Sequence, residues 1–227
     1  MRDNLTKYIQ KSATGQKEDQ RVMYNKLPFM VKDPLPENIS LANIIKTIES
    51  YVPEKFTVGI DMVFVGQFED VVERDATSLW ADGAIFVDNE QDNDDDIIED
   101  IIHEIAHATE DSHMLEVYGD DSIENEFLLK RRHLYDILES QELANNIQPF
   151  LSLQYDLEFD KYLYKTVGYE RLTWLTMGLF VSPYGATSLK EYFANGFEEY
   201  FTPTGDRGNL KAISPALYQK IQQLMDI

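Results

Sequence analysis

Apolar residues in this chain recur at intervals of three and four over several long stretches. In two shorter stretches they run together instead. Leu41, Ile44, Ile45 and Ile48 predict an amphipathic helix over 39–51, with Ser40 placed to cap it and Pro53 just past its end. Residues 56–68 are dense in Val, Ile and Phe and predict a strand interrupted at Gly59 or Gly66, and 84–88 predict a second strand entered at Gly83. Ile98, Ile101, Ile102 and Ile105 then form one apolar stripe at helical spacing. Further helices are expected over 123–143, 171–180, 189–201 and 214–225, the last with Ser214 as cap and Pro215 at its first position. Pro28, Pro34 and Pro36 break the segment before the first helix into extended or turn structure, and 148–164 is aromatic-rich around Pro149. Residues 1–20 are polar and read as a weak helix or a mobile arm. The expected architecture is α+β. A single domain over 21–227 has a small N-terminal α/β lobe, about 21–112, and a mainly helical C-terminal lobe, about 113–227.

The stripe at 98–105 belongs to a helix that also reads His103-Glu104-Ile105-Ala106-His107, an H-E-x-x-H pattern. His103 and His107 are four apart, one above the other on the side away from the isoleucines. Two imidazoles one turn apart can both reach one Zn²⁺. Glu104, about 100° further round, can lie beside the metal without binding it, where the general base for a water belongs. Asn93 to Asp96 supply a cap and first-turn anions for the same helix. They lack the glycine and closing glutamate of a calcium loop. The strand at 84–88, just upstream, is read equally as an ordinary sheet member or as an edge on which an extended peptide could pair.

Composition narrows the chemistry. The 227 residues carry 41 acidic and 20 basic side chains, a net charge of −21. That excludes a nucleic-acid binder, which needs clustered Lys and Arg, and can steer basic substrates toward the protein. There is no cysteine, so any zinc must be held by His and carboxylate. No stretch of about 18 apolar residues predicts a membrane span, and the N-terminus has no apolar signal core, so the expectation is a cytoplasmic protein.

A catalytic zinc takes three protein ligands and leaves one position open. Three residues compete for the third place. His113 lies six after His107, but Glu110 stands where a glycine would turn the chain, and a continuing helix carries His113 about 9 Å further along. Glu126 lies 19 after His107. Glu191 shares a helical face with Asn195 and Glu198, although Ser188 and Glu191 also make a capping box whose polar face could simply be solvated.

H-E-I-A-H followed by Tyr184, six residues, and Glu191-Tyr192-Phe193-Ala194 with Phe197 resembles the anthrax lethal factor catalytic domain and the related bacterial Pro-Pro endopeptidases. The resemblance covers about thirty residues in two blocks. It implies a zincin-like fold and one catalytic Zn²⁺ on His103, His107 and Glu191. Glu104 would be the base, and Tyr184 would assist the transition state. The implied activity is zinc-dependent endopeptidase action on a protein or peptide. The alternatives are hydrolysis of a small amide, or a zincin-fold binding or assembly protein with little activity. Two features depart from the family: Asn195 stands where lethal factor has a second Glu, and the 84 positions from His107 to Glu191 imply an inserted helical segment at about 115–165. Secreted members of that family carry signal peptides, which are not seen here, so an intracellular or phage-encoded member is expected.

Overall fold

The computed structural model describes residues 21–73, 76–175 and 177–227, so the expectation for 1–20 lies outside the described residues. The architecture is α+β, a small mixed sheet with a mostly helical remainder. Strands β1 (Arg21–Met23), β2 (Leu27–Val31), β3 (Met62–Val65), β4 (Ser78–Ala81) and β5 (Ala84–Val87) lie in the order β1-β2-β3-β5-β4. The three central strands are parallel, with Phe29 opposite Val63 and Val63 opposite Ile85. The outer two are antiparallel to their neighbours. A two-residue turn joins β4 to β5, with Asp82 at φ 51° and Gly83 at φ 83°. Positive φ at both positions matches the right-handed twist of a hairpin.

Side chains alternate across the sheet. Val63, Val65, Ile85 and Val87 face the helices, while Phe64 and Phe86 stack on the other face with ring centroids 5.1 Å apart. Helices α1 (Leu41–Tyr51) and α3 (Asp94–Ser112) cover the inner face; a single turn, α2 (Glu69–Val72), precedes β4. Ile97, Ile98, Ile101, Ile102 and Ile105 of α3 are all buried. Each removes roughly 1.5–3 kcal/mol worth of apolar surface from water. Asn93 caps α3 by accepting from the Asp95 and Asp96 amides.

The remainder is α4 (Met114–Tyr118), α5 (Ser122–Ser140), α6 (Leu157–Lys161), α7 (Tyr169–Leu175), α8 (Leu189–Phe201), α9 (Arg207–Ile213) and α10 (Pro215–Leu224). Helix α8 crosses α3 and is apolar round most of its girth: Phe193, Phe197 and Phe201 are buried with Tyr192. Gly196 lets α10 approach, since a Cβ there would sit 2.2 Å from Leu217 Cδ2. Buried apolar residues from Met23 to Leu224 form one cluster. Among the described residues no helix is long and apolar enough to cross a membrane.

Two expectations are corrected, and the two readings of 84–88 are decided between. The strand expected over 56–68 is only Met62–Val65. Phe56 instead lies in a 3-10 turn, Glu54–Thr57, with its ring 5.2 Å from Phe197, and Gly59 at φ 88° separates turn from strand. Its apolar character reflected burial rather than extension. The strand at 84–88 is interior, and the sheet edge beside α3 is β4, whose half-buried Ser78 to Ala81 carry no alternation to betray them. The aromatic-rich stretch from 148 forms a 3-10 turn at Gln148–Leu151, then α6, then a π-helical stretch, Tyr162–Gly168. The helix expected over 171–180 ends at Leu175, with Gly178 at φ 78° beyond it.

Glu126 holds the C-terminal helices together. Its carboxylate accepts from Tyr192 Oη at 2.7 Å and from the Ala216 and Leu217 amides at 2.8 and 3.1 Å, capping α10 where Ser214 was expected to. Glu126→Ala should lower stability by about 1–3 kcal/mol, read by chemical denaturation, because three donors lose a charged acceptor. A midpoint unmoved by the change would show that the cap contributes nothing.

Candidate metal centre

Three side chains meet where α3 and α8 cross. The polar face of α3 presents His103 and His107 with ring centroids 5.0 Å apart. Ser188 caps α8, its hydroxyl accepting from the Glu191 amide at 3.2 Å. The reciprocal half of the expected capping box is not made, because the Glu191 carboxylate turns to the imidazoles. Glu191 Oε2 lies 3.1 Å from His103 Nε2, and Oε1 lies 3.7 Å from His107 Nε2. His103, His107 and Glu191 each offer one ligand atom, all within 4.8 Å of one another, and such a group can hold a metal ion.

The other ring nitrogens are also held. His103 Nδ1 lies 3.1 Å from Glu198 Oε2, and His107 Nδ1 lies 2.8 Å from Glu110 Oε2. Tyr118 Oη donates to the second oxygen of Glu110. A carboxylate on each Nδ1 fixes the ring and aims its Nε2 at the common point, as in metal-binding histidines generally. The sequence reading missed both roles. Glu110 was weighed only as a helix former, although at i+3 from His107 it lies within reach. Glu198 was grouped with Glu191 on one face without being assigned to a ring. Asn195, the departure from the family, is buried and accepts from Ser182 Oγ, so it takes no part in holding His103.

Electrostatics follow from this packing. Burial opposes charge on both imidazoles, but hydrogen bonds to Glu191 and Glu198 raise His103 well above its ordinary value. Glu110 and Glu191 likewise raise His107 to about 9. Burial would raise Glu191, yet the two imidazoles outweigh it and hold it at about 2. The group therefore pairs two raised imidazoles with a lowered carboxylate.

Glu104 is buried, and its Oε1 accepts from Ser78 Oγ of β4 at 2.6 Å. Tyr184 opens a 3-10 turn, Tyr184–Ala186, with its ring 6.4 Å from that of His103. Burial and the negative charge of Glu191 raise its phenol pKa, so it stays a proton donor. Of the other third-ligand candidates, Glu126 is engaged at α10, and His113 ends α3 outside the group.

An open cleft runs past both sides of His103 and Glu104, lined throughout by Ser78, Tyr155 and Tyr184. One end, about 510 Å³, carries Asp96, Glu99, Asp100, Asp160 and Glu198. Burial, with Glu104 and Glu198 nearby, raises Asp100 to about 7. The other end, about 560 Å³, carries Leu79, Trp80 and Leu157 with one basic and one acidic rim residue, Lys190 and Glu73. Tyr155 and Tyr169 both donate to Asp160, each at 2.8 Å, in a cluster the sequence gave no sign of. No protein-family model, no curated protein and no solved structure matches the chain.

Two outcomes test the centre. Glu110→Ala should weaken metal binding about 10–100-fold, measured by chelator competition, while Glu191→Ala should lose it more severely. Equal affinity in wild type and Glu110→Ala would remove the supporting role of Glu110. Metal uptake must also displace protons from the raised imidazoles. Affinity should therefore keep rising from about pH 7 to about pH 9, the range set by His107. A plateau at neutral pH, where imidazoles at about 6.5 are already deprotonated, would contradict this.

Proposed function

We propose that the chain is a zinc-dependent endopeptidase of the zincin type. The observation that carries the reading is the convergence of His103, His107 and Glu191, each imidazole backed by its own carboxylate, beside a buried Glu104 that is not one of the three. Two imidazoles and one carboxylate, with no thiolate in the chain, suit zinc and leave a coordination position open. Bound there, zinc supplies a Lewis acid and a water of lowered pKa.

The chain's own groups do the rest. Glu104 takes a proton from the attacking water and returns it to the leaving amine. Ser78 Oγ holds one oxygen of that carboxylate, which orients the other. Tyr184, protonated throughout, donates a hydrogen bond to the oxyanion or the departing nitrogen. The edge strand β4 offers backbone groups for an extended peptide, and the cleft continues in both directions from the metal-binding group. That length favours a peptide over a small amide. The unlike ends favour a substrate with a basic side chain on one side of the scissile bond and an apolar one on the other.

Glu104→Gln should keep its zinc by elemental analysis and lose about 10²–10⁴-fold in turnover of a cleavable peptide from a mixed library. Full activity in that variant would refute the assignment of the base. Library products showing neither a basic nor an apolar preference would refute the assignment of the two ends.

A further inference from the structure

Arg131 of α5 is fully buried. Its guanidinium finds backbone carbonyls and rings but, among the described residues, no carboxylate. Nη1 donates to Ala186 O at 2.6 Å and Thr187 O at 3.1 Å, and Nη2 donates to Pro149 O. The guanidinium carbon lies 4.1 Å from the centre of the Phe159 ring and 5.3 Å from that of Phe127. Nε has no hydrogen-bond partner among the described residues. Desolvation lowers the guanidinium pKa to about 9, and no anion opposes it.

Burying a cation without an anion beside it is unfavourable, and an aliphatic side chain would fill a space between phenylalanine rings at less cost. The partners show what the cation does there. Ala186 ends the turn that begins at Tyr184, and Thr187 is tied back to the Tyr184 carbonyl through both its amide at 2.9 Å and its hydroxyl at 2.7 Å. The next residue, Ser188, caps the helix that carries Glu191. Phe159 precedes Asp160, which holds Tyr155 against the cleft. One planar fork thus sits at the joint of the segments that deliver Tyr184, Glu191 and Tyr155. A fork with several fixed donors can set the spacing of two consecutive carbonyls as a single ammonium cannot.

We infer that Arg131 is a positioning residue for the cleft: its hydrogen bonds to Ala186 and Thr187 fix the Tyr184 turn relative to Glu191. The catalytic consequence rests on the endopeptidase reading given above; the positioning itself does not. Four variants of the full chain test it: Arg131→Met, Arg131→Lys, Tyr184→Phe, and Arg131→Met with Tyr184→Phe. Arg131→Met should lower kcat about 10–100-fold with KM nearly unchanged, since small displacements of a transition-state donor have effects of that size. The double variant should fall no further than Tyr184→Phe alone, because both changes remove the same contribution. Arg131→Lys should be as impaired in kcat as Arg131→Met although it keeps the charge.

A second arm needs no activity. With 3-fluorotyrosine placed only at position 184, the fluorine NMR line of the zinc-loaded protein should shift or broaden in Arg131→Met and in Arg131→Lys. A wild-type line in both variants overturns the proposal, as do additive losses in the double variant or a change confined to KM. If wild type hydrolyses no peptide, the endopeptidase reading fails while the fluorine line still decides for or against Arg131. Should Arg131→Met not fold, Arg131→Lys decides in its place.

Discussion

Everything at the cleft depends on one electrostatic arrangement, in which two imidazoles stand between three carboxylates. His103 lies between Glu191 and Glu198, and His107 between Glu191 and Glu110. Each ring has one nitrogen spoken for by its own carboxylate, and the remaining nitrogens share Glu191. The His103, His107 and Glu191 group could hold a metal ion, and binding one would displace ring protons. The apolar packing of α3 on α8 makes this possible: buried isoleucines on one helix and phenylalanines on the other hold the two backbones in register. The polar faces have no freedom to drift apart.

Much of this was legible in one dimension. The isoleucine stripe and the two histidines needed only helical periodicity, and the helix over 189–201 was read with the bounds the structure gives it. Pairing Glu191 with a helix some 84 residues upstream was not available from periodicity, and the resemblance singled it out among three candidates. The two supporting carboxylates were missed because their role depends on which way each ring nitrogen points, which spacing alone does not determine.

The sheet was harder to read than the helices for a related reason. Strand β4 lies at an edge, half-buried at all four positions, so no alternation marks it. Phe56 was read as strand because aromatic and β-branched residues are favoured wherever a surface is half-buried. Its ring packs on Phe197 and Phe201 of α8, so this turn belongs to the helical core. The Tyr155, Asp160 and Tyr169 cluster left no trace at all, since nothing in the sequence says that two tyrosines, five and nine positions from an aspartate, share its carboxylate.

The fit of α10 against Gly196 has a further consequence. Leu217 occupies the space where any side chain at 196 would lie, and Glu126 grips both the first amides of α10 and the hydroxyl of Tyr192, the neighbour of Glu191. The C-terminal helix therefore acts as a buttress: it reaches no part of the cleft, yet it determines where α8 can stand. The position of Glu191 beside the two imidazoles is thus set from behind, by residues outside the cleft.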